Sequence, residues 1–122
     1  MANQPEPTVT RQSGVTVVSL GPGFESLDEQ HLETVSDAIL NAAQEAEPPR
    51  LLVDLSHTNF FGSSFIEVLF RMANRITQRE DGRFGIAGLT PYCAEVISIT
   101  HLDELWATFD SVEDGVATLN EP

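Results

Sequence analysis

The sequence predicts an α/β domain, a mixed and mostly parallel sheet of four to five strands with about four helices. Three observations carry this. Segments rich in β-branched residues alternate along the chain with segments of helical period. The run Leu51-Leu52-Val53-Asp54-Leu55 is short and almost wholly apolar, as in a strand buried on both faces. After it the period changes: Phe65, Leu69, Met72 and Ile76 recur at helical spacing, while Glu67, Arg71, Asn74, Arg75 and Gln78 fall largely on other faces.

In chain order, residues 1–8 are polar, carry Pro5 and Pro7, and read as a flexible N-terminal arm; residues 9–122 read as one domain. Val9 to Arg11 is an edge-strand candidate. Gly14 introduces Val15-Thr16-Val17-Val18-Ser19-Leu20, a β-branched strand broken by Gly21-Pro22-Gly23, so the two segments read as a hairpin. Ser26 and Glu29 stand in the S-x-x-E relation of a capping box and open a helix to about Ala46. Leu32, Val35, Ile39, Ala42 and Ala46 form its apolar stripe, and Pro48-Pro49 ends it. Past the central strand and helix, Asp81-Gly82 is a turn and Arg83 to Ala87 a further strand. Thr90 caps a helix with Pro91 at its first position, running to about Ile99 with Val96 and Ile97 inward. A short strand lies near Trp106 to Phe109, and Ser111 and Asp114 open a last helix carrying Val112, Val116 and Leu119.

A chain of 122 residues with 41% apolar content makes one compact domain with a real core. Nineteen acids stand against six basic residues, all arginine, for a formal charge of −13. Such a chain repels phosphate backbones and anionic membranes, so no nucleic acid is expected as a partner. A basic patch on another protein fits better, and general solubility explains the acidity equally well. The single cysteine, Cys93, excludes an internal disulfide and any C-x-x-C pair, and reads as a small buried hydrophobe. His31, His57 and His101 share no ligand spacing, so no metal is expected, and without a phosphate-cradling glycine loop no nucleotide cofactor is expected either. The N-terminus lacks the regions of a signal peptide, and no apolar run approaches the roughly 20 residues that span a bilayer, so the expected location is cytoplasmic without membrane insertion. No acid pair, serine–histidine set or metal cluster has a catalytic spacing, so no enzyme is expected and no catalytic residue is nominated. Asp54 reads as a strand-end acid that satisfies nearby backbone amides.

The junction of buried strand and helix, Gly62-Ser63-Ser64, is where function is expected. Ser64 and Glu67 stand in the capping-box relation, the serine accepting from the amide three residues on and the glutamate reaching back. Gly62 allows a positive φ there if the turn requires one. Ser63 is then left exposed before the helix. A phosphoryl group on it would face the positive end of the helix dipole and add roughly −1.5 to −2 charges. The local pattern alone leaves Ser63 open between phosphoacceptor and simple turn or cap residue.

From Val15 to Leu119 the order of elements resembles the STAS family, the sulfate-transporter and anti-sigma-factor-antagonist domain. Asp54-Leu55, Phe60-Phe61 and the serine pair opening a helix carry most of the resemblance. Gly88-Leu89-Thr90-Pro91, Leu102-Asp103-Glu104-Leu105 and Asp110-Ser111-Val112-Glu113-Asp114 add weaker support. The resemblance implies a stand-alone anti-sigma factor antagonist: a binding module for an anti-sigma factor that is a serine kinase of the ATP-binding type. Aligned without gaps from Val53, the family's phosphorylated position falls on Ser63, with Ser64 as runner-up. Gly62, Ser63, Ser64, Glu67 and Arg71 become the implied partner-binding residues. Two departures stand out. Gly62 replaces the family's usual aspartate, removing a carboxylate beside the hydroxyl, and Phe65 replaces its glycine. The resemblance also admits an unswitched subunit of a lipid-transport or stress-sensing complex. A phosphoaspartate receiver fits less well: the first strand ends Ser19-Leu20-Gly21 without an acid pair, and the chain has no lysine.

Overall fold

The computed structural model describes residues 6–27 and 29–121, so most of the expected N-terminal arm lies outside the described residues. The elements in order begin with strands β1 (Thr8–Gln12), β2 (Val15–Ser19) and β3 (Ser26–Leu27), then helix α1 (Glu29–Glu45). Strands β4 (Arg50–Asp54) and β5 (Phe60–Phe61) precede helix α2 (Ser63–Thr77). Strand β6 (Arg83–Ala87), helix α3 (Pro91–Ile99), a 3-10 turn (Leu102–Glu104), strand β7 (Ala107–Phe109) and helix α4 (Val112–Leu119) complete the fold.

β1 and β2 form an antiparallel hairpin in unbroken register from Thr8↔Ser19 to Gln12↔Val15. The strand therefore extends one residue beyond the expected Val9–Arg11 at each end. Ser13 and Gly14 both take positive φ, 51° and 84°, the backbone of a type I′ turn whose twist matches its strands. From β2 onward the pairing is parallel, giving a five-stranded sheet in the order β1-β2-β4-β6-β7, with β3 and β5 paired apart as a two-stranded sheet. This is the mixed, mostly parallel sheet that the sequence predicts.

Strand alternation divides the core between the two faces of the sheet. Val18, Leu51, Val53 and Ile86 pack under α1, α2 and α3, while Val15, Val17, Leu52 and Ala87 meet Val116 and Leu119 of α4. Gly115 lets α4 lie close, since a Cβ there would stand 2.8 Å from the terminal carbons of Leu52.

Outside the central junction two cap expectations change. Thr90 holds the N-cap position of α3 ahead of Pro91, but its side chain makes no cap hydrogen bond and donates instead to the Thr58 carbonyl. The Ser26 capping box does not form. Ser26 is not the cap of α1 but the first residue of β3, paired with Phe60 of β5. Its backbone is extended by that pairing, and the helix starts only at Glu29. The last helix behaves as expected, with Ser111 accepting the Asp114 amide at 3.1 Å.

Candidate functional site

β4 ends at Asp54, whose Oδ1 accepts the Ser56 amide at 3.0 Å, the strand-end role expected of it. The chain then turns through Thr58, which is fully buried. The Thr58 hydroxyl donates to the Phe24 carbonyl at 3.1 Å, and its own carbonyl accepts the Thr90 hydroxyl at 2.6 Å. The Cys93 Sγ lies 3.5 Å from that same carbonyl. Burial pushes the Cys93 thiol up from its ordinary pKa, and a hydrogen bond with Thr90 partly offsets this. One threonine thus ties the β4–β5 loop to the β2–β3 loop and to the start of α3. The Asn59 and Phe60 amides both reach the Glu25 carbonyl, at 2.7 and 3.1 Å, and fix the chain again just before β5.

Two-residue alternation in β5 buries Phe61 and leaves Phe60 46% exposed. Phe60 stacks on Tyr92 of α3, ring centroids 5.6 Å apart, and Tyr92 is itself 49% exposed. Phe65 is fully buried and packs against Phe61, so the family's missing glycine position feeds the core and not the surface.

α2 starts earlier than a cap at Ser64 requires. Gly62 is its N-cap, extended at φ −109° and ψ −171°, and no side chain caps the helix. The Gly62 carbonyl accepts the amides of Phe65 and Ile66 at 3.2 and 3.3 Å, so the first turn closes around Gly62. The expected Ser64–Glu67 capping box does not form: Ser64 already lies inside the helix, where its hydroxyl is past the cap position. Nor is positive φ used at Gly62, where a Cβ would meet nothing within 4 Å. Ser63 is the first helical residue and is exposed. The Ser63 and Ser64 amides precede the first intrahelical hydrogen bond, which runs from the Phe65 amide to the Gly62 carbonyl, and are left without a helical partner.

The structure separates the five partner-binding residues read from the sequence. Ser64, Glu67 and Arg71 line a groove of about 330 Å³ between α1 and α2, with Glu29 and Glu33 opposite and Leu32 and Val68 along it. Gly62 and Ser63 stand at the helix start outside that lining, next in sequence to Phe60-Phe61. Sequence reasoning missed Tyr92, Glu29 and Glu33. The Phe60-Phe61 doublet signals one outward aromatic, but nothing local pairs it with α3. Among the described residues no group of three or more His, Cys, Asp or Glu is placed to hold a metal ion, and no helix is long and apolar enough to cross a membrane.

A STAS domain family model matches residues 6–115. Among solved structures, an anti-sigma-factor antagonist (STAS) domain protein from Planctomyces limnophilus is 36% identical, with the match covering 95% of this chain and 99% of that one at a TM-score of 0.89. An anti-sigma factor antagonist from Mycobacterium paratuberculosis is 26% identical, covering 94% and 93% of the two chains at a TM-score of 0.80. The anti-sigma factor antagonist SpoIIAA in its unphosphorylated form is 15% identical, covering 93% and 95% at a TM-score of 0.74; the Bacillus SpoIIAA in its phosphorylated form gives 0.68, also at 15%, covering 93% and 98%. At that identity the likeness to SpoIIAA is one of fold. No curated protein matches the chain in sequence.

Proposed function

The chain belongs to the STAS domain family, and on that premise we propose that it is a regulatory binding module of the anti-sigma factor antagonist kind. In this reading it docks an anti-sigma factor that is an ATP-binding serine kinase, and phosphorylation of Ser63 releases it. The observation that carries the reading is Ser63 itself, exposed as the first residue of α2 on a loop held by buried hydrogen bonds. A phosphoryl group there stands at the Ser63 and Ser64 amides, which the helix leaves unpaired, and at the positive end of the helix dipole, and both stabilise the dianion once it forms. The same dianion sits in the docked face, where desolvation and repulsion oppose rebinding.

Gly62 in place of aspartate changes how the transfer is divided between the partners. No side chain of this protein hydrogen-bonds the Ser63 hydroxyl among the described residues, so the base that takes its proton belongs to the kinase. The exposed Phe60–Tyr92 pair, with Phe60 three residues before the serine in the chain, supplies apolar area of the kind that anchors interfaces. The protein itself acts as ligand and substrate, not as an enzyme.

The test is parallel capture from native extract with wild type and Ser63→Asp as baits, followed by phosphopeptide mapping of the wild-type bait after ATP is added. The reading expects an ATP-binding kinase on wild type alone and a phosphoryl group on the peptide containing Ser63. Equal recovery of partner by both baits, with no phosphate on that peptide, would remove the switch.

A further inference from the structure

The carboxylates of this chain are unevenly placed. Its formal charge is −13, yet no acid occurs between Glu6 and Glu25, a stretch that contains the whole β1–β2 hairpin and one cation, Arg11. β1 is the edge of the five-stranded sheet, and all five of its residues are exposed, Val9 by 51%. Its register against β2 runs without a bulge or an internal proline, so the outer row of amides and carbonyls is regular and unpaired within the sheet. Hollows flank the strand on both faces. One, of about 250 Å³, lies between Val9, Thr10 and Arg11 and the small residues Ala42 and Ala46 of α1. The other, of about 490 Å³, lies between Gln12 and Ser13 and Val116, Ala117 and Asn120 of α4.

We propose that β1 is a self-pairing edge, which joins antiparallel to β1 of a second copy of this chain and makes one continuous ten-stranded sheet. The occupant is a second copy because of charge. A chain this acidic repels its own kind, and the hairpin lies in the longest acid-free stretch of the sequence, so two copies meet there without opposed carboxylates on the strand. Only Glu45 and Glu113 border the hollows. Full overlap of a five-residue strand with itself centres the two-fold axis on Thr10, setting Thr10 against Thr10, Val9 against Arg11, and Thr8 against Gln12 of the two copies. Threonine pairs and β-branched partners are favourable opposite one another, and isologous pairing of this kind closes without further growth. The contact is short, so the dimer belongs to the weak end of the interface range. No residue of the Ser63 site lines either hollow, so the proposal stands independently of the function proposed above.

Salt gives the sign of the effect. Two copies of charge −13 repel at low ionic strength, and raising salt from about 0.01 to 0.15 M shortens the screening length from roughly 30 to 8 Å. Dimerisation therefore strengthens with salt, opposite to an interface built on ion pairs.

The test is sedimentation equilibrium of the full chain up to about 1 mM, covering dissociation constants down to the weakest that are useful. Wild type is expected to dimerise, more at 0.15 M salt than at 0.01 M. Thr10→Glu alone and Thr10→Arg alone each place like charges on the two-fold axis and weaken dimerisation at least tenfold, while their equimolar mixture restores a heterodimer. Thermal melts of both variants confirm that the exposed site leaves the fold intact. A wild-type chain that remains monomeric at 1 mM, or a mixture no better associated than its parts, overturns the proposal.

Discussion

Phe60 and Tyr92 stack with ring planes inclined by 26°, although each is close to half exposed. The two rings come from β5 and the first turn of α3, and Thr58 holds those elements together through the Thr90 hydroxyl. The pair is thus a preformed apolar platform immediately before the helix that starts at Ser63.

Truncating either ring separates docking from folding. Tyr92→Ala or Phe60→Ala is expected to cost about 1 kcal/mol of stability, the worth of an exposed aromatic pair. Each is expected to weaken the partner complex about tenfold or more, as for an interface anchor. Urea unfolding and a binding titration on the same variants check both halves.

Gly62→Asp tests whether the missing family carboxylate is a steric necessity. A Cβ at Gly62 meets nothing within 4 Å, and its φ of −109° suits any residue. Aspartate there caps α2 and faces its dipole, so stability at neutral pH is expected to rise by about 0.5 kcal/mol. Capping holds the new carboxylate below its unfolded pKa, so the gain is present above about pH 4 and fades as pH falls through the folded value. Denaturant midpoints at pH 7 and pH 3 measure it.

Gly115→Ala sets helix propensity against packing. Propensity favours alanine by about 1 kcal/mol. The added methyl would stand 2.8 Å from both terminal carbons of Leu52, which is fully buried, and 3.1 Å from the Phe109 ring. Overpacking costs roughly 1–3 kcal/mol, so the variant is expected to be less stable than wild type, by thermal melt.

Cys93 is buried and its thiol is pushed up by desolvation. Its reaction with an aromatic disulfide reagent in the native state is expected to be slow and to speed up on unfolding in urea. Because the folded thiol titrates higher than the unfolded one, its contribution to stability is complete below the unfolded pKa of about 8.5 and is lost as pH rises through the folded value. Cys93→Ala should flatten the stability curve in that alkaline window.

The sheet was legible in the sequence because it rests on patterns longer than one turn. The apolar run at Leu51, the β-branched run at Val15 and the helical spacing from Phe65 to Ile76 each state a burial pattern that the structure realises. The two failed capping boxes rest on four residues each. Ser26 has the right neighbour in Glu29, but pairing with Phe60 claims its backbone first. Ser64 has the right neighbour in Glu67, but the Gly62 carbonyl already closes the turn. Both are tertiary or one-residue effects that local spacing does not encode. The serine at the helix start was readable from the sequence; the Tyr92 stack on Phe60 and the place of Glu33 across the α1–α2 groove arise only from the packing of α3 and α1.

The most direct measurement is the affinity of the purified kinase partner for wild type, Ser63→Ala and Ser63→Asp, by calorimetric titration. The account predicts that Ser63→Ala binds like wild type and resists release by ATP, while Ser63→Asp binds at least tenfold more weakly, a difference of about 1.4 kcal/mol. Equal affinity of all three, with ATP releasing them alike, would contradict Ser63 as the switch.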